Sequence, residues 1–172
     1  MKKNEIINKV ANSGIINIDL ATYAPKESIV ELDIQQFLFN GLILKEKEFR
    51  LALKEFNFEK FQDKIVALHC SVNVIAPMWA YMLITTYLNN VNSKIYFGNK
   101  NKVLRLIIEE KINAIDIENF KEKRVIVNGC SDIELNESAY IAITKKLQKH
   151  VKSLMFGEAC SAVPIFKKLN PK

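Results

Sequence analysis

Cysteine, glycine, proline and histidine are all scarce in this chain of 172 residues, and each scarcity closes a class of proteins. Three cysteines, an odd number, cannot build the disulfide framework of a small secreted domain. Five glycines and four prolines exclude a low-complexity or loop-dominated chain. The glycines, at 14, 41, 98, 129 and 157, match neither the dinucleotide nor the P-loop pattern, so ATP and NAD enzymes are not expected. Of the two histidines, His69 adjoins Cys70, but neighbours in a strand face opposite sides and make no nucleophile–base pair. His150 falls at the end of a predicted helix. Long hydrophobic runs are also missing. The longest stretch without a formal charge is 65–93, and its apolar part, 74–88, is 15 residues long and contains Pro77. A membrane span needs about 20. Residues 1–14 are polar, with no apolar run of signal-peptide length. The expectation is a cytoplasmic protein with no membrane partner.

What is present is ordinary: 49% hydrophobic residues, 26% charged, and a net charge of +6. One globular domain with a core large enough to need no staple follows from that. The charge is uneven. Residues 144–172 carry seven lysines (145, 146, 149, 152, 167, 168, 172) against Glu158 alone, while the rest balances at 18 basic and 18 acidic. Such an end attracts an anionic partner, or is simply a solvated helix face and a frayed tail. No reading motif or aromatic platform accompanies the lysines, so nucleic acid is not expected as a partner.

Residues 15–20 and 28–34 alternate with period two around Pro25 and predict a hairpin of half-buried strands. A short helix near 35–39 follows, then a longer one over 46–56. After that, strands at 64–69, 94–97, 124–128 and 153–156 alternate with helices over 77–88, 102–112 and 137–151. Such alternation predicts βαβ units and a mostly parallel sheet. The alternation also repeats. Lys64–Ser71 matches Arg124–Ser131, Ala80–Leu88 matches Ala139–Leu147, and Phe97-Gly98 matches Phe156-Gly157, at offsets of 59 or 60. The expected fold is α/β: one mostly parallel sheet from two similar α-β-α-β halves, 45–100 and 101–172, behind an amino-terminal β-hairpin and short helix in 1–44. The helix over 77–88 is apolar all round, with Met78, Trp79, Met82 and Tyr87 opposite its sheet-facing side. Either the amino-terminal segment or a homodimer partner would cover it.

Every cysteine is followed by serine, at Cys70, Cys130 and Cys160, and each lies at or just beyond a predicted strand end. Carboxyl ends of parallel strands share one edge, where ligands bind. Were the two halves to meet through their first strands, Cys70 and Cys130 would occupy adjacent strands and Cys160 the next. Three thiolates suit zinc or an iron–sulfur cluster, with Glu158, Asp132 or Glu134 as a fourth ligand. Sulfur or redox chemistry on the thiols is the other option, and buried structural cysteines the plain one. Whether the protein is an enzyme is left open by these residues.

The segments Cys70–Leu83, Asn128–Asp132, Phe156–Pro164 and Phe37–Arg50 resemble a bacterial family of unknown function, and the resemblance runs over nearly the whole chain. Its members tend to be encoded beside SUF-type iron–sulfur cluster assembly genes, and Cys70, Cys130 and Cys160 correspond to the family's cysteine positions. The resemblance implies an accessory role in iron–sulfur or sulfur metabolism, with iron–sulfur assembly proteins as partners. The alternative is a non-catalytic adaptor with structural cysteines and a basic docking surface at Lys145, Lys146 and Lys149.

Overall fold

The computed structural model describes residues 14–129 and 135–169. The fold is α/β with predominantly parallel strands, but these form two sheets instead of one. The chain divides into two compact units: residues 25–104, and residues 1–24 together with 105–172. One unit is therefore inserted into the other.

The inserted unit holds a three-stranded sheet of order β2-β3-β4, from β2 (Ile29–Asp33), β3 (Ile65–His69) and β4 (Lys94–Phe97), all parallel. Between them lie α1 (Glu46–Glu55) and α2 (Met78–Asn90). Phe49 and Leu53, one turn apart, are the fully buried side of α1. Glu46 and Glu48 in its first turn and Lys54 in its last suit the helix dipole. In α2, Ala80, Ile84 and Leu88 form the buried stripe at i, i+4, i+8. The opposite side of α2 splits. Trp79 packs edge-on to Phe49 at 5.7 Å and Tyr87 stacks on Phe58 at 5.0 Å, while Met78 and Met82 remain exposed.

The second unit repeats this plan. Its sheet has the order β1-β5-β6-β7, from β1 (Ile15–Asp19), β5 (Arg124–Asn128), β6 (Ser153–Phe156) and β7 (Val163–Lys167). The first three strands are parallel and β7 is antiparallel to β6. The helix α4 (Glu137–Leu147) buries Ala139, Ile143 and Leu147, each 59 residues after its α2 counterpart. The unit boundary falls inside α3 (Lys100–Asn113).

The two amino-terminal strands stand where the period-two pattern places them, but they do not pair with each other. Parallel to β5 runs β1, and parallel to β3 runs β2. The physical reason lies in the central strands. Ile65–Leu68 and Val125–Asn128 are buried throughout, and each strand needs a neighbour on both sides to satisfy its backbone. Pairing β1 with β2 would leave both central strands with an open edge. The expected frayed tail is also corrected: Val163–Lys167 is a strand.

The strand register fixes the repeat at 59 residues. Ile65 pairs with Lys94, and Arg124 with Ser153. The Gly98 N–H donates to Leu68 at 2.9 Å as the Gly157 N–H donates to Val127 at 3.0 Å. Tyr81 meets Phe97 edge-on at 5.7 Å, as Tyr140 meets Phe156 at 5.6 Å. At that offset Cys70 is the counterpart of Gly129, and Cys130 that of Ser71. The alignment of cysteine on cysteine is one residue out of the structural register.

Candidate functional site

Each unit ends its parallel strands in a polar edge, built by the same device. Asp19 and Asp33 close β1 and β2, and each carboxylate caps a short 3-10 turn by accepting from the N–H two residues on, Ala21 at 3.0 Å and Gln35 at 2.9 Å. In the inserted unit Asp33 also accepts from the Ser71 N–H at 3.1 Å, which ties the ends of β2 and β3 together. Ser71 Oγ donates to Gln35 Oε1 at 2.7 Å and lies within reach of the same carboxylate. Burial pushes the Asp33 carboxyl up, but the Ser71 hydroxyl, the N–H groups of Gln35 and Ser71, and the charge of His69 together hold it below the usual carboxylate range. Cys70 is half-buried at this edge, its thiol 3.5 Å from the Val72 carbonyl. Tyr81 stands beside it. Burial first, then the charges of Cys70 and Asp33, raise its phenol above the ordinary value, so it stays a donor at neutral pH.

At the equivalent edge of the other unit, β5 ends in Asn128, which is only 7% exposed. Its Nδ2 donates to Glu158 Oε1 at 3.2 Å, while its Oδ1 has no hydrogen-bond partner among the described residues. An orphaned amide oxygen in a buried site costs about 1–3 kcal/mol unless something donates to it or coordinates it. Glu158 and Cys160 share one turn, closed by the Ser161 N–H donating to the Glu158 carbonyl at 2.9 Å. Cys160 is exposed, with Sγ 4.0 Å from Ser161 Oγ. Gly129 follows Asn128 under the ring of Tyr140; a Cβ there would lie 2.5 Å from the phenol oxygen and 2.4 Å from Leu135 Cδ1.

Of the expected ligands, then, Glu158 and Cys160 belong to one unit and Cys70 to the other. Cys130, Asp132 and Glu134 lie outside the described residues. Strands β3 and β5 sit in different sheets, so the adjacency expected of these two strands does not occur. Among the described residues, no group of three or more His, Cys, Asp or Glu is placed to hold a metal ion. The donors that are described, an amide oxygen, a carboxylate and a thiol, are chemically fit for zinc or another divalent metal that accepts mixed oxygen and sulfur ligands. Asn128 was not anticipated, although a polar residue closing the apolar run Val125-Ile126-Val127 is a signal for it. Asp19 and Asp33 were missed too, and the short repeat Ile15-Ile-Asn-Ile-Asp19 against Ile29-Val-Glu-Leu-Asp33 carries them.

Both units also hold an apolar pocket between helix and edge strand. One, of about 420 Å³, is lined by Leu68, Met78, Tyr81, Thr85, Ile95 and Phe97 among others. The other, of about 340 Å³, has Val127, Tyr140, Thr144, Leu154, Phe156 and Ile165 in its wall. Among the described residues no helix is long and apolar enough to cross a membrane. No curated protein and no solved structure matches the chain. A family model described as "Protein of unknown function (DUF2480)" matches residues 4–168, and the chain belongs to that family.

Proposed function

We propose that the protein is an accessory protein of iron–sulfur or sulfur metabolism, which holds a metal ion or cluster through cysteine thiolates at the polar edges of its sheets. The observation that supports it most is Asn128. Its buried Oδ1 lacks a partner among the described residues, while its Nδ2 holds Glu158 at the end of β5, two residues before Cys130 in sequence. A centre here would draw on Cys130, Cys160 and Glu158, with the Asn128 oxygen facing it. Oxygen donors beside thiols favour zinc or a cluster with one non-cysteine ligand over an all-cysteine centre. Cys70, half-buried beside Tyr81 in the other unit, serves in this reading as a separate thiol for sulfur chemistry at its own sheet edge.

The test is anaerobic purification with assay of iron, zinc and acid-labile sulfide. Metal is expected in the wild type and is lost in Cys130→Ser and Cys160→Ser. A protein that stays metal-free after reconstitution with iron and sulfide, and with zinc, contradicts the reading.

A non-catalytic adaptor is the second reading, and the lysines of the α4 end favour it in part. Lys145 and Lys149 are exposed, whereas Lys146 donates to the Asn113 carbonyl at 2.6 Å. In that reading, neutralising Lys145 and Lys149 abolishes capture of iron–sulfur assembly proteins and leaves metal content unchanged.

A further inference from the structure

The two apolar pockets are counterparts, but their open sides differ. In the four-stranded sheet β7 runs along β6, setting Phe166 opposite Leu154 and Val163 opposite Phe156. Its Ile165 also lines the pocket of that unit. In the three-stranded sheet no strand of the described residues pairs beyond β4, so the other pocket opens beside an uncovered strand edge.

Backbone alternation identifies what that edge offers. The N–H groups of Lys94 and Gly98 donate to the Lys64 and Leu68 carbonyls on the β3 side. In a parallel ladder the intervening Ile95 and Phe97 therefore direct their N–H and C=O away from β3. Fifty-nine residues later these positions are Leu154 and Phe156, both within the stretch of β6 that β7 pairs with. Met78, which lines the pocket with Ile95 and Phe97, and Met82, one turn on along α2, are 73% and 69% exposed, and Phe97 itself, with the Lys102 ammonium 4.9 Å from its ring centroid, is 61% exposed.

We propose that β4 pairs antiparallel with β4 of a second copy, joining two three-stranded sheets into one of six strands about a twofold axis at Tyr96. The choice of a second copy rests on β4's own residues. Opposed residues in an antiparallel pair share a face, and a twofold axis normal to the sheet preserves faces, so opposed positions differ by an even number. The register that also brings the outward backbone groups together sets Ile95 against the partner's Phe97 and Tyr96 against the partner's Tyr96. Two reciprocal pairs of hydrogen bonds result. An aliphatic side chain then faces phenylalanine, as Leu154 faces Phe166 where β7 completes the other sheet. The strand's one charge, Lys94, is paired with Glu27 at 2.7 Å and stands opposite the partner's Gly98, so no like charges are opposed. The methionine-bearing sides of the two α2 helices come to lie on the same face of the joined sheet.

The experiment is sedimentation equilibrium on the full chain with three variants. The wild type is expected to be a dimer. Phe97→Pro removes an outward N–H and spares the ladder to β3, and Met82→Lys charges an exposed position that the fold does not bury; each is expected to shift the protein toward monomer. Tyr96→Cys is expected to give a covalent dimer on mild oxidation, because residues opposed at a non-hydrogen-bonded antiparallel site lie about 4.5 Å apart, inside the disulfide range. Wild type oxidised in parallel accounts for the native cysteines. A monomeric wild type overturns the proposal. So does a dimer that survives both Phe97→Pro and Met82→Lys, or one that Tyr96→Cys fails to link.

Discussion

Gly129 and Asp33 show how single residues keep the two polar edges in shape. At Gly129 the phenol of Tyr140 occupies the space a side chain would need. Gly129→Ala is therefore expected to cost about 1–3 kcal/mol through overpacking, read as a lower denaturant midpoint. The Tyr140→Phe, Gly129→Ala double variant should recover part of that loss, since the closest polar clash is with the hydroxyl. Asp33 ties two strand ends and a short turn through one carboxylate. Its folded-state pKa is depressed, so its contribution is present above the ordinary carboxylate value near 3.9 and is lost as the pH falls through and below it. Asp33→Asn should accordingly lower stability at neutral pH by about 1 kcal/mol, with the gap to wild type closing on acidification, as denaturation at pH 7 and pH 3 would show. The cysteines were legible as candidate ligands because soft thiols in a repeated context are conspicuous. Asn128 was less so, because its significance comes from burial without a partner for Oδ1 among the described residues, which only the fold discloses.

Among the elements, the helices and the central strands were the most legible. Their signal is local: a 3.6-residue stripe in α2 and α4, and a continuous apolar run in β3 and β5. Substitutions in the stripe should separate sharply by face. Ile84→Ala, fully buried, is expected to cost about 2–5 kcal/mol, while Ile141→Ala, at an exposed position of α4, should stay within about 0.5 kcal/mol, both by equilibrium unfolding. Strand partners were not legible. A period-two pattern announces a strand and its buried face but carries no record of its neighbour, so β1 and β2 looked like a hairpin by proximity alone. The last strand escaped for another reason: its sequence, Val163-Pro-Ile-Phe-Lys167, contains a proline, lies among lysines and is mostly exposed. Proline is acceptable there because β7 ends its sheet.

For the whole molecule, duplication explains most of the plan. The sequence of one α/β unit interrupts that of another of similar design, and the two amino-terminal strands belong one to each unit. The 59-residue repeat is visible in the sequence, but aligning Cys70 on Cys130 is one position out of the strand register. That slip matters for function. It removes the neat symmetry of Cys70 with Cys130 and leaves Asn128, Glu158 and Cys160 as the described part of the candidate centre. The most direct measurement of the central claim is metal and acid-labile sulfide per chain in anaerobically prepared protein, wild type beside Asn128→Ala and Cys130→Ser. The account predicts bound zinc, or iron with sulfide, reduced in Asn128→Ala and absent in Cys130→Ser. Equal metal in all three, or none in any after reconstitution, would contradict it.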